Sequence, residues 1–245
     1  MLRGHVAARV HYLRGRDIAD RGGNVGTVVR DWMAGRPGLM LAPVGADLRE
    51  LEAGAGLPAP VAALVDLNGD LHDASVLLLW PDDRTLDTVD HQLTPASRVL
   101  VLLDVGGPTA LGWLRRYRAV HVLDGSTLHP LTGVLAEPAV EYGLRYLLSL
   151  PVRGIGHDAY HREPARSKAI SAFCAFRDGG VAVEAGPLLL EFLVSNGATV
   201  SDATVLNDYA AGIGESCEAR TGPGHRFRDD ILQVWRAAVG LPNIR

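Results

Sequence analysis

The chain has 245 residues, of which 47% are hydrophobic and 21% charged, enough apolar matter for one large or two small packed domains and too much for a disordered polypeptide. A formal net charge of −4 and a pI near 6.1 supply no global attraction to nucleic acid or to an anionic membrane surface. Cys174 and Cys217 stand 43 positions apart without a CxxC partner, a pattern that builds neither a zinc ribbon nor a disulfide framework and reads as two reduced thiols.

From the N-terminus, Arg3, His5, Arg9 and His11 interrupt the apolar residues, so no signal peptide is expected, and no stretch approaches the roughly 20 apolar residues of a spanning helix. The expectation is a cytoplasmic protein with no membrane partner. Gly22-Gly23-Asn24-Val25-Gly26-Thr27 lacks the lysine of a phosphate-binding loop and reads as a helix-entry turn. Short aliphatic runs then predict strands at Gly38 to Ala42, Val61 to Leu67, Ser75 to Trp80, Arg98 to Asp104, Ala119 to Asp124, Val181 to Glu184 and Ala198 to Ser201. Consecutive apolar residues such as Val99-Leu100-Val101-Leu102-Leu103 imply burial on both faces and hence a largely parallel sheet. Asn68-Gly69 carries the residues of a tight turn, which would return Val61 to Leu67 on Leu71 to Trp80 as an antiparallel edge hairpin.

Helix starts are marked by Asp82 or Asp83 before Leu86, Val89 and Leu93, and by Pro138 and Pro187 at first-turn positions. At the C-terminal end, Phe227, Ile231, Val234 and Trp235 form one stripe, which predicts a docked last helix. The pattern as a whole predicts an α/β fold, Rossmann-like, with a mostly parallel sheet covered by helices. Gly125 to Glu137 is the most linker-like stretch of the second half. It would divide an α/β block, residues 1–130, from a helix-rich α/β block, residues 131–245, which is either separate or continuous with the first.

The strongest chemical signal is the strand ending in Asp104, followed by Gly106 and Gly107, then Pro108, Thr109 and Ala110. An acid and a glycine turn at the start of a helix suit a nucleotide-type ligand, and Asp124, twenty residues on, suits ribose hydroxyls. Residues 98–124 here resemble the first two motifs of the class I S-adenosylmethionine-dependent methyltransferases, with Pro108 and Ala110 where that family has its second and third glycines. The resemblance implies a ligand contacted by Asp104, Gly106, Gly107 and Asp124.

A second cluster, Gly154 to Pro164, carries His157, Asp158 and His161, and is followed by Lys168, the single lysine among 24 basic residues. These four are acid/base or anion-contacting candidates. Acids at strand ends, among them Asp66, Asp82, Asp83, Asp104 and Asp124, would border the ligand crevice of a parallel sheet, though N-capping accounts for Asp82 and Asp83.

Three functional readings follow. The leading one is a soluble transferase that takes a small-molecule ligand, S-adenosylmethionine or a nucleotide, at the Asp104 turn. The second is a divalent-metal phosphate or phosphodiester hydrolase using His157 and His161 with strand-end acids. The third is a non-catalytic Rossmann-like module acting through a protein partner or as a homo-oligomer. It draws on Pro108, Ala110 and a mean hydropathy of +0.10.

Overall fold

The structure is a computed structural model that describes residues 9–19, 25–33, 38–42, 61–63, 75–104, 106–150, 164–212, 217 and 227–239. The chain divides into two compact units, Met1–His129 and Pro130–Arg245.

Among the described residues, the first unit has six strands: β1 (Arg9–Arg14), β2 (Gly38–Ala42), β3 (Val61–Ala63), β4 (Ser75–Leu79), β5 (Arg98–Leu103) and β6 (Val120–His121). Their spatial order is β3-β2-β4-β5-β1-β6, and every pairing between them is parallel. All five residues of β4 and five of the six in β5 are buried, as strands covered on both faces require. Leu13, Leu77, Leu79, Leu100 and Leu102 share one face and pack with Val29, Trp32 and Met33 of a helix over Val25–Met33, while a short helix, Gly15–Ala19, follows β1 directly. We call Gly15–Ala19 α1 and Val25–Met33 α2. The alternate residues Tyr12, Val76, Leu78, Val99 and Val101 point to the opposite face and are equally buried.

Helices α3 (Asp83–Gln92) and α4 (Pro108–Arg116) follow β4 and β5. Asp82 caps α3, its carboxylate accepting from the Thr85 N–H at 2.8 Å, and Pro108 fills the first turn of α4. The two helices are joined by Asp90, whose side chain is only 7% exposed. It accepts hydrogen bonds from Trp113 Nε1 at 3.1 Å, Tyr117 Oη at 2.6 Å and Arg116 at 3.1 Å. Burial and that carboxylate push the Tyr117 phenol above its ordinary pKa, so the ring stays a donor.

The second unit consists, among the described residues, of helices α5 (Pro138–Ser149), α6 (Ala165–Asp178), α7 (Pro187–Ser195), α8 (Val200–Gly212) and α9 (Ile231–Val239). Its aromatic centre is Trp235, which meets Phe176 at 5.3 Å and Phe227 at 5.5 Å between ring centroids. Gly143 of α5 allows this approach: a Cβ there would lie 2.6 Å from the Trp235 ring. Glu141 is buried and accepts from the backbone N–H groups of Gly133, Val134 and Leu135 and from Arg145. Burial opposes its charge, but those four sources of donors outweigh burial and hold its carboxyl below the usual range.

Several expectations are corrected. No edge hairpin forms: β3 pairs in parallel with β2, and β4 lies on the other side of β2, so both run in the same sense; residues 64–74, including Asp66 and the Asn68-Gly69 turn, lie outside the described residues. Residues 181–185 are irregular, and 198–199 lead into α8, where the Thr199 hydroxyl accepts from Asp202 N at 3.0 Å and opens a helix in place of a strand. Strand β6 keeps two of the six residues expected of it, because the chain turns at once, Gly125 N bonding His121 O at 3.0 Å. On α9, Val234 is 42% exposed, and Leu232 takes a buried place beside Ile231 and Trp235. The central strand β1 has no counterpart among the expected elements.

Cys174 and Cys217 are not free thiols. They form a disulfide with Cα atoms 5.8 Å apart, so the fold brings together what sequence separation keeps distant. Native protein should yield no thiol to Ellman's reagent and two after denaturation with a reductant. The Cys174→Ser/Cys217→Ser pair should lose about 4 kcal/mol by loop-closure entropy, read from urea unfolding. In the first unit, Asp90→Ala strands the Trp113 and Tyr117 donors and should cost about 2–4 kcal/mol on the same measurement.

Candidate functional site

The connectivity of the sheet singles out one edge. From β1 the chain crosses β5 and β4 to reach β2, whereas from β5 it crosses β1 to reach β6. Adjacent strands therefore send their continuations in opposite directions, and the crevice between such connections, outside the carboxyl ends, is where open α/β sheets take ligands. The order differs from the 3-2-1-4-5-6 order of dinucleotide-binding folds, since β1 lies between β5 and β6 here.

Four strand ends supply side chains to this edge. Asp104 follows β5, is exposed, and accepts no hydrogen bond from the described residues; its Oδ1 lies 3.9 Å from where a Cβ on Gly15, the residue after β1, would stand. From β6, His121 projects a buried imidazole whose Nδ1 is 3.0 Å from Asp124 Oδ1 and whose Nε2 is 3.2 Å from Asp17 Oδ2 in α1. The Asp17 contact has ion-pair reach without hydrogen-bond alignment, so Nε2 is buried with no aligned acceptor. From β4, Trp80 is 41% exposed on a backbone with φ of 44°.

Asp124 is held ionised. The Ser126 N–H donates to its Oδ1 at 2.8 Å, the Ser126 hydroxyl and His121 add to this, and together they bring the carboxyl down to about 2. Oδ1 takes both the Ser126 N–H and the His121 Nδ1 contact, and the side chain is 48% exposed. On the His121 side, the imidazole lies 4.9 Å from the Tyr12 ring, and the Arg14 guanidinium lies 5.7 Å from the Tyr12 ring.

The expected site residues fare differently. Asp104 and Asp124 both border the carboxyl end of β1, on its two sides. Gly107 is the N-cap of α4 with no side-chain cap, and a Cβ on Gly106 would meet Leu103 and Leu111 at 3.3 Å, so its role is close packing. Lys168 lies on α6 of the second unit, and His157, Asp158 and His161 lie outside the described residues. Asp82 and Asp83 are committed elsewhere, Asp82 as a cap and Asp83 accepting from the Thr109 hydroxyl at 2.5 Å. Sequence reasoning missed Asp17, His121 and Trp80. The spacing of His121 and Asp124, three residues apart after a strand, was the available signal.

A cleft about 720 Å³ in volume lies in the second unit beside the disulfide and is lined by Ser171, Phe227, Leu232 and Gln233 with Arg177, Arg228 and Arg236. Each of those arginines is already paired, with Asp178, Asp230 and Glu137. Among the described residues no group of three or more His, Cys, Asp and Glu side chains is placed to hold a metal ion, and no helix is long and apolar enough to cross a membrane. Comparison with protein-family models, with curated proteins and with solved structures gives no significant match.

The Asp124 network has a direct test. Carboxyl-carbon NMR should place its midpoint near pH 2, and Ser126→Ala and His121→Ala should each move it up toward the ordinary value of about 3.9. Because the folded-state pKa is depressed, the stability Asp124 contributes is present above about pH 4 and is lost as pH falls through 2. A wild-type midpoint near 4 would contradict the network.

Proposed function

We propose that this protein is a Rossmann-like α/β enzyme that binds a nucleotide-type small molecule, S-adenosylmethionine or a nucleotide, over the carboxyl end of β1 and catalyses group transfer. The observation that carries this reading is Asp104: an exposed carboxylate without a hydrogen-bond donor among the described residues, at the point where the connections from β1 and β5 diverge. A carboxylate in that position accepts from vicinal hydroxyls. Glycine supports it twice, at Gly15 where β1 ends and at Gly107 where α4 begins, leaving room for a ligand to approach the backbone.

Asp124 supplies a second acceptor on the far side of β1. Held ionised, it serves as an acceptor throughout the physiological range. His121, a buried imidazole set between Asp17 and Asp124, is the candidate at this edge for acid/base work on a bound ligand. His157, Asp158, His161 and Lys168 remain candidates on the sequence alone.

Isothermal titration with adenosine, ADP and S-adenosylmethionine tests the reading. At least one should bind the wild-type protein, and Asp104→Ala should weaken it by about 10-fold or more, the loss of a hydrogen bond to a charged group. Absence of binding by all three, or equal affinity in Asp104→Ala, would overturn it.

A further inference from the structure

We infer that Trp80 is the platform on which the planar base of the ligand stacks, so that the site takes a nucleoside-bearing molecule by its base as well as by its hydroxyls. The inference rests on the site proposed above and adds its base-recognition element. Two separate costs converge on this residue. Its backbone lies in the left-handed region, with φ of 44°, where glycine or asparagine is at ease and a bulky side chain is rare. The residue is 41% exposed, whereas Trp32, Trp113 and Trp235, the other tryptophans, are at most 9% exposed. Folding alone would favour a small polar residue here.

The location gives the ring a use. Leu79 is paired with Leu102, so Trp80, the next residue, stands opposite Leu103 and one position short of Asp104 on the neighbouring strand. Trp80 and Asp104 thus follow neighbouring strands, β4 and β5, at the same carboxyl end of the sheet, and the inferred ligand would reach from one to the other. The Trp80 N–H bonds Leu102 O at 3.0 Å, anchoring the backbone at that point of the edge. Two acids, Asp82 and Asp83, come directly after Pro81 in the chain, and a third, Asp104, follows the neighbouring strand. A protein-docking tryptophan sits instead within a broad apolar patch. A lone aromatic face among acids fits a flat, uncharged base, and base stacking tolerates any of the four because each presents a π face.

Substitution by asparagine separates ligand binding from folding, because asparagine removes the indole and suits the backbone. Trp80→Asn should leave the urea midpoint unchanged or raised, and should weaken adenosine binding by roughly 5- to 150-fold. Iodide quenching of intrinsic fluorescence, which in the folded protein reads mainly Trp80, should fall saturably as adenosine is added, and ribose alone should not protect. If adenosine binds wild type and Trp80→Asn equally while Asp104→Ala weakens it, the stacking role is wrong and the site stands. If adenosine, ADP and S-adenosylmethionine all fail to bind wild type, both fall.

Discussion

The arrangement depends on β1 lying between β5 and β6. Six residue pairs tie β1 to β5, from Arg9 opposite Arg98 to Arg14 opposite Leu103, and Tyr12 O accepts from Val122 N just beyond β6. Because β1 occupies that place, the turn at its end faces Asp104 on one side, while Asp17 meets His121 on the other. Were the strand at an edge, these carboxylates would have no common centre. Parallel ladders fix the position through backbone bonds alone, which is why so few side chains of β1 are needed to define it.

This strand is also the element least legible in the sequence, and the reason is physical. A central parallel strand is expected to read as a continuous aliphatic run, as β4 and β5 do. β1 reads Arg-Val-His-Tyr-Leu-Arg. Its polar residues are made compatible with the interior one by one. Burial first, and Arg98 second, hold the His11 imidazole below its ordinary pKa, so it is carried neutral against the Trp32 ring at 5.9 Å. Arg98, opposite Arg9, lays its guanidinium over Trp32 at 4.8 Å, and Arg14 lies 5.7 Å from the Tyr12 ring. Each of these solutions needs a partner remote in sequence, and periodicity carries no information about remote partners. By contrast, the cap at Asp82 and the prolines opening α4, α5 and α7 are local devices, so they could be read directly. The expected edge hairpin shows the opposite failure: a pairing read from a local signal gives way to the strand order, in which β2 lies between β3 and β4.

In the second unit the same contrast holds. Helical periodicity indicates the apolar faces, yet the tie between Cys174 and Cys217 and the seat of Glu141 are long-range or backbone-made. A glutamate in the first turn of α5 looks like a solvated helix-start acid. In the fold it is a buried anion whose three backbone donors belong to the segment immediately before the helix. That segment is thus folded back on its own helix by a charge, and a carboxylate so fully engaged has nothing left to offer a ligand.

The same accounting sorts the acids of the first unit. Asp82, Asp83 and Asp90 accept from Thr85, Thr109, and the trio Trp113, Arg116 and Tyr117, which spends their charge on helix ends and helix pairing. Asp17 and Asp124 share one imidazole. Asp104 alone of these six is left exposed at a strand end without a donor among the described residues. An exposed carboxylate loses little by being solvated, so its exposure by itself says nothing. What gives it meaning is company: glycine at the exit of β1, diverging chain connections, and a tryptophan held open on a backbone that favours a smaller residue. Stability alone accounts for the first three acids. It supplies no reason for this grouping, which is the ground on which a ligand is proposed at that edge.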